Sequence, residues 1–397
     1  MIKRNQDQEI GVGSMASPYL VSCSSCHNNM NNLLELRCME CGSPFSVTIS
    51  TTFDKNALME RKHSMWRYSK VFPWINESNL ASQGEGGTPS INIDKNVELK
   101  LEYISPTGSF KDRGTSMMFS SIISFLKKNK ITRIIEDSSG NAGASISAYS
   151  AYLGLDCHIY APNTVSGLKA KQIESSGATL VKVNGTREQV AKAAENSSRK
   201  SGFYASHIFN PFFNEGMRTV SYEICEQLNW NAPDYVFLPC SAGTLLLGVA
   251  NGFRHLFDSG IISRIPTIVA GQTKQISPLY HAFQELPYSR PDRFDSIADA
   301  LVSVEPPRLR EMIESLRLCS GNVEITTEKE ILESHTELAR RGIYVEPSSA
   351  VSYSCFNKWR TSGRIQPEDN VTVILTGSGL KSDLATIKAM TCQTNPK

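Results

Sequence analysis

The residue best placed to do covalent chemistry is Lys111, within Pro106-Thr107-Gly108-Ser109-Phe110-Lys111-Asp112-Arg113-Gly114. A lone lysine in a loop is usually a solvated surface charge. This one stands between Phe110 and Asp112-Arg113, where a helical stretch running through Met117 to Lys127 begins. Positive potential from Arg113 and from a helix N-terminus favours the neutral amine. An amine that gives up its proton readily is the kind that forms Schiff bases. A second set of reactive types lies near the N-terminus, in Cys23-Ser24-Ser25-Cys26 and Cys38-Met39-Glu40-Cys41. Two such pairs eleven residues apart, the second followed by Gly42, match a closed four-cysteine zinc site of the ribbon type. Such a site is structural, since a catalytic zinc keeps an open position. The alternative is a pair of reduced thiol turns.

The elements that must position Lys111 show in the pattern of short apolar runs ending at turn residues. Residues 133–137 read as a strand stopping at Ser138-Ser139-Gly140, and 144–153 as a helix rich in Ala and Ser. Strands at 157–161 and 180–183 alternate with helices at 168–176 and 187–198. A second set follows: a strand at 235–238, a helix after Gly243, a strand at 267–270 and a buried strand at 371–375. This alternation implies parallel sheets covered by helices. Ligands bind beyond the C-terminal ends of parallel strands. Three Gly/Ser-rich turns hold that position: Ser138 to Ala142, Cys240 to Thr244, and Thr376 to Gly379.

The Lys111 segment resembles the lysine motif of the tryptophan-synthase-β-like (fold type II) family of pyridoxal-phosphate (PLP) enzymes, most closely in its threonine-synthase form. Further stretches carry the resemblance in order: Gly84-Glu85-Gly86-Gly87-Thr88-Pro89, Ser138-Ser139-Gly140-Asn141-Ala142, Glu215-Gly216-Met217-Arg218-Thr219, Val345 to Ala350, and Thr376 to Lys381. It implies an α/β fold of two parallel-sheet domains with a small N-terminal zinc-ribbon-like module. The expected divisions are a flexible tail at 1–20, the ribbon at 21–50, a large PLP-binding domain from 51–115 and 206–390, a smaller domain at 116–205, and a tail at 391–397.

The resemblance also implies roles. Lys111 holds PLP as an imine and then moves the Cα proton. Asn141 faces the phenolic oxygen, Ser241, Ala242, Gly243 and Thr244 cradle the phosphate, and Thr376 faces the pyridine nitrogen. Ser138, Ser139 and Gly140, with Thr88 and Asn210, hold the substrate, the α-carboxylate lying at a helix N-terminus. A hydroxyl at the ring nitrogen does not keep it protonated as an Asp would, which favours loss or replacement of a β or γ leaving group over transamination. The chemistry is the cofactor's and the protein selects the branch.

The chain departs from the threonine-synthase pattern where phosphate of O-phosphohomoserine is read. His207-Ile208-Phe209-Asn210-Pro211-Phe212-Phe213 stands where that form has Asn-Ser-x-Asn-Pro-x-Arg, so the Ser position holds Ile208 and the Arg position Phe213. Each charge-assisted hydrogen bond removed is worth roughly 1.5–3 kcal/mol. His207, Lys169, Lys171 and Arg218 are the basic residues available to compensate. The phosphate loop carries less Gly than usual, and Ser382 separates Lys381 from Asp383. The default reaction is conversion of O-phosphohomoserine and water to threonine and phosphate. The altered positions favour a β-replacement synthase on serine or O-phosphoserine, such as a cysteate- or diaminopropionate-forming enzyme, and a serine/threonine ammonia-lyase is a third reading.

Composition excludes other classes. Among 397 residues, 41 Lys+Arg against 39 Asp+Glu leave a net charge of +2, which is too balanced for nucleic acid or an anionic membrane to be the main partner. No apolar stretch reaches the roughly 18 residues of a membrane span, and the N-terminus lacks a secretory core. Scattered Cys without pairing rhythm point to reduced thiols and a cytoplasmic setting. The expected partner is a small amino-acid substrate, and family members are commonly homodimers.

Overall fold

The computed structural model describes residues 17–59, 62–165, 167–291 and 296–382. Residues 1–16 of the expected N-terminal tail, the 391–397 tail, Asp383 and Cys392 lie outside them. Tyr19 and Leu20, also assigned to that tail, belong to the first strand.

In chain order the elements are β1 (Tyr19–Cys23), β2 (Phe45–Ile49), β3 (Ser90–Asp94), β4 (Val97–Leu101), α1 (Lys111–Lys128), β5 (Arg133–Glu136) and α2 (Asn141–Tyr152). They continue with β6 (Asp156–Pro162), α3 (Leu168–Ser175), β7 (Thr179–Val183), α4 (Arg187–Lys200), β8 (Phe203–Tyr204), α5 (Pro211–Gln227), β9 (Tyr235–Pro239) and α6 (Thr244–Asp258). The last are β10 (Thr267–Thr273), α7 (Pro278–Phe283), α8 (Leu309–Leu318), β11 (Asn322–Thr326), α9 (Glu328–Arg340), α10 (Pro347–Thr361) and β12 (Val371–Leu375).

The contacts divide the chain into two units: 1–85 with 111–216, and 86–110 with 217–397. The first carries a four-stranded sheet of order β7-β6-β5-β8, parallel throughout, and the antiparallel ribbon β1-β2. Residues 51–85, expected with the larger domain, pack into this first unit. Glu85 is the reason: its fully buried carboxylate accepts from Trp66 Nε1 at 2.9 Å, Ser116 Oγ at 2.6 Å and the Tyr149 hydroxyl. Such a buried carboxylate needs several donors to offset its lost hydration.

The second unit carries a six-stranded sheet of order β11-β10-β9-β12-β4-β3. Its strands are parallel except for the edge hairpin β3-β4. The run Val-Thr-Val-Ile-Leu of β12 is buried along its whole length, as a central parallel strand covered on both faces must be. Leu99, Phe237, Val269, Val351, Phe356 and Val373 are among the side chains of its core.

Candidate active site

In the first unit Lys111 is the opening residue of α1, half-buried, with Nζ 5.9 Å from the centre of the Phe213 ring. The next residue, Asp112, is fully buried and accepts from Ser145 Oγ at 2.6 Å, and Ser145 Oγ also meets Thr115 Oγ1 at 2.7 Å. These bonds tie the lysine helix to α2, the helix behind the Ser138 turn. In that turn the Ser138 hydroxyl accepts from the Gly140 amide at 3.3 Å, Ser139 is half-buried, and buried Asn141 opens α2 with no side-chain cap from Gly140. Gly143 is obligatory, because a Cβ there would lie 1.7 Å from Ser138 O. Gly216 is equally constrained, its Cβ falling 2.1 Å from Arg113 O. Asn210 caps the start of α5, its Oδ1 accepting from the Phe212 amide at 3.0 Å.

In the second unit, the turn after β9 runs from buried Cys240 through half-buried Ser241 and Ala242 to Gly243. Gly243 is the N-cap of α6 at φ 93°, again with no side-chain cap, and a Cβ there would strike Met312 Sδ at 2.4 Å. Thr244 is buried as the first residue of that helix. Ser241 Oγ accepts from Ser303 N at 3.3 Å. Thr376, just beyond β12, is buried; its amide donates to Ser349 Oγ at 2.7 Å and its carbonyl accepts from Phe110 N at 3.0 Å. The late motif thus holds the strand of chain that leads to the lysine: Ser378 N also bonds Gly108 O at 2.9 Å, and Lys381 Nζ bonds Thr107 O at 2.6 Å. Thr88 is fully buried and donates to Glu102 Oε1 at 2.6 Å, while its amide donates to Glu223 Oε1 at 2.7 Å. Glu223 is itself paired with fully buried Lys100 at 2.5 Å. Removing one member of such a pair costs about 3–5 kcal/mol.

The pattern of the family described as pyridoxal-phosphate dependent enzyme matches residues 81–377. The chain belongs to that family. Threonine synthase of Methanocaldococcus jannaschii is 30% identical over 390 residues, spanning 89% of this chain and 94% of that protein. Threonine synthase of Methanosarcina acetivorans is 27% identical over 380 residues, spanning 88% and 92%. Among solved structures, a fungal L-serine ammonia-lyase from Rhizomucor miehei superposes with a TM-score of 0.67 at 20% identity, covering 77% of this chain and 98% of that one. Threonine deaminase isoform 2 from Solanum lycopersicum gives 0.64 at 20%, covering 75% and 78%. These neighbours show the shared fold, that of the fold-type II PLP enzymes.

The residues present fit that cofactor. A phosphate brings acceptor oxygens, and α6 opens behind Gly243, which has no side chain to cap the first turn and where a Cβ could not fit without striking Met312. In the first unit Lys111 heads α1 and Asn141 opens α2, and in the second Thr376 supplies a neutral polar group.

Several partnerships around these residues were not singled out in the sequence. Ser349 orients Thr376, and the Lys100–Glu223 pair carries the Gly87-Thr88 turn. Beside Lys111, His207 Nδ1 lies 2.6 Å from Glu136 Oε1, and the Tyr204 hydroxyl donates to Asp137 Oδ1 at 2.8 Å. A Glu-Asp pair ending a strand ahead of a Gly/Ser turn was the available signal. Of the basic residues able to replace the missing Arg, Lys169 is buried, Lys171 is exposed, and Arg218 Nη1 donates to Asn251 O at 3.0 Å. His207 is uncharged: burial first, then the nearby Lys111 and Arg187, hold its imidazole well below the usual range. Phe213 is fully buried and Ile208 half-buried.

The cysteines converge at the end of the β1-β2 ribbon. Cys23 Sγ is 3.3 Å from Cys41 Sγ, Cys26 Sγ is 3.4 Å from Cys38 Sγ, and all four sulfurs lie within 4.8 Å of one another. Zn–S bonds of about 2.3 Å place tetrahedral sulfurs roughly 3.8 Å apart. Gly42, at φ 75°, turns the second pair. Among the described residues no helix is long and apolar enough to cross a membrane.

Proposed function

We propose that the protein eliminates or replaces an oxygen-linked group on the side chain of an amino acid, in the manner of threonine synthase. The observation that carries the reading is Lys111 at the head of α1 within a chain whose residues 81–377 match the PLP family. When bound, PLP supplies the electron sink that makes the substrate Cα–H acidic. Lys111 Nζ holds the cofactor and then takes and returns the Cα proton. The turn from Ser138 to Gly140, with the first turn of α2, receives the α-carboxylate, and Asn141 orients the cofactor's phenolic oxygen. Ser241 to Thr244 bind the phosphate. Thr376 meets the ring nitrogen with an uncharged hydroxyl and so does not hold a proton there. Thr88 and Asn210 shape the substrate side, Thr88 through the buried Glu102 and Glu223. O-Phosphohomoserine is the default substrate by likeness to the named relatives. Phe213 and Ile208 favour instead serine-type donors, in a β-replacement or an ammonia-lyase reaction.

Borohydride reduction followed by peptide mapping tests the first part, with PLP expected on Lys111; trapping on another lysine overturns the assignment. A donor panel scored for phosphate, ammonia and keto acid tests the second. Release of none of these products from any donor overturns it. We also propose that Cys23, Cys26, Cys38 and Cys41 hold one structural zinc. Metal analysis of reduced protein purified without chelator is expected to give about one equivalent, and less than about half overturns the claim. The chain is further proposed to work as a cytoplasmic homodimer, which light scattering after sedimentation would check.

A further inference from the structure

Beside Lys111 lies a carboxyl–imidazole pair to which none of the roles above gives work. Glu136 ends β5 with its side chain fully buried, and Oε1 meets His207 Nδ1 at 2.6 Å. The other oxygen, Oε2, is buried with no hydrogen-bond partner among the described residues. An ionised carboxylate so placed would be costly, whereas a carboxylic acid tolerates one idle oxygen better. Burial, reinforced by the charge of Asp137, pushes the Glu136 carboxyl well above its ordinary range. Backbone amides of His207 and Asp137 and the charge of Arg187 pull the other way but are smaller causes, so the balance favours a neutral pair with the Glu136 proton donated to Nδ1. Nδ1 being occupied, Nε2 carries the ring's own proton on the far side of the imidazole.

Where that proton can go is set by the neighbours. The His207 ring stands 5.9 Å from the Phe213 ring, and Lys111 Nζ stands 5.9 Å from the same ring. Phe213 occupies the position where the threonine-synthase form has a phosphate-binding Arg. Arg187 is spent on Asp137, through a 3.2 Å ion pair and a bond to its carbonyl. Tyr204 is held by Asp137 as well. Near the lysine stand an aromatic wall and a neutral proton donor backed by an acid. That set suits a poor leaving group that must be protonated as it departs, and it suits a phosphate dianion badly.

We propose that His207, positioned by Glu136, is the general acid for an unphosphorylated side-chain hydroxyl, and that the substrate is a hydroxy-amino acid. This rests on the elimination or replacement reading above. As the C–O bond breaks, its electron pair leaves on oxygen, which takes the proton from Nε2 and departs as water. The Glu136 proton passes to Nδ1, so the pair loses one proton in all and regains it from solvent. The proton removed from Cα is held separately on Lys111.

The test compares L-serine and L-homoserine with the analogues in which chloride replaces the hydroxyl, since chloride leaves without a proton. Wild-type enzyme loaded with PLP should turn over at least one hydroxy-amino acid, with a solvent isotope effect that its chloro analogue lacks. His207→Asn should lose about 10²–10⁴-fold on the hydroxyl substrate and little on the chloride, with the absorbance of bound cofactor unchanged. Glu136→Gln should show the same split in weaker form. Equal losses on both substrates, no isotope effect, or faster release from the phosphate esters would each overturn the proposal. If the wild type acts on the chlorides and not on the hydroxyls, His207 as leaving-group acid is wrong while the broader reading stands. If it acts on none of these donors, the broader reading itself falls. The isotope comparison needs no variant and decides the matter even if the substituted chains fail to fold.

Discussion

Helices α4 and α9 begin very differently from α2 and α6. Each of the first two opens on a reciprocal capping box: Thr186 with Gln189, and Thr327 with Glu330. Their first-turn amides are served by the chain's own side chains. Helices α2 and α6 open behind Gly140 and Gly243, residues with no side chain to serve as a cap. A capped helix is complete without a ligand, whereas one opened by glycine suits a group that brings its own acceptor oxygens. An uncapped start is not sufficient by itself, since α3 behind Gly167 has none either. The two that matter are those behind the Ser138 and Cys240 turns, which are proposed above to receive the substrate carboxylate and the cofactor phosphate.

That contrast gives a graded set of expected outcomes. The largest effect belongs to the lysine: Lys111→Ala should abolish both turnover and borohydride-trappable PLP, read by intact mass. Gly143→Ala comes next. Its Cβ would meet the Ser138 carbonyl, so the α2 turn must open, and cofactor titration should show severe loss of binding. Gly140→Asp sharpens the comparison, because it converts an open start into a capped one. Gly140 has extended backbone, and a Cβ there would meet only Ser138 Oγ, at 3.7 Å, so the backbone accepts a side chain at this position. KM for the amino acid should rise by about tenfold, the equivalent of about 1.4 kcal/mol, with PLP still attached. An unchanged KM would mean that α2 does not receive the substrate carboxylate. The smallest effect is on the other side. Thr186→Ala and Thr327→Ala should each cost about 1 kcal/mol in denaturant titrations and leave KM and cofactor affinity alone.

The regular part of this architecture was legible because strand and helix periods are local. The strand expected at 371–375 is β12, residue for residue, and those at 157–161 and 180–183 fall inside β6 and β7. The helix expected at 144–153 begins earlier, at Asn141, because Gly140 rather than the Ala-rich run starts it. The motif residues were legible for the same reason, each being a short contiguous word. What could not be read was partnership across the sequence. Glu136 and His207 are 71 residues apart, and Lys100 and Glu223 are 123 apart. Nothing near either partner marks its mate. The grouping of 51–85 with the first unit was hidden on the same account: the side chains that draw it there, Ser116 and Tyr149, lie well downstream of Glu85.

The place of β12 has a consequence for how the protein is made. In the six-stranded sheet β12 lies between β9 and β4, and among the described residues it is the last strand to leave the ribosome. Until it arrives, the sheet exists as two fragments, β11-β10-β9 and β4-β3, each showing an unpaired edge. The stretch Thr107 to Phe110 waits too, because the residues that hold it are Thr376, Ser378 and Lys381. Synthesis therefore has to pass β12 and Lys381 before the lysine's approach is set, and until then the nascent chain carries open strand edges. A chaperone that shields those edges should raise the yield of active enzyme more than extra cofactor does.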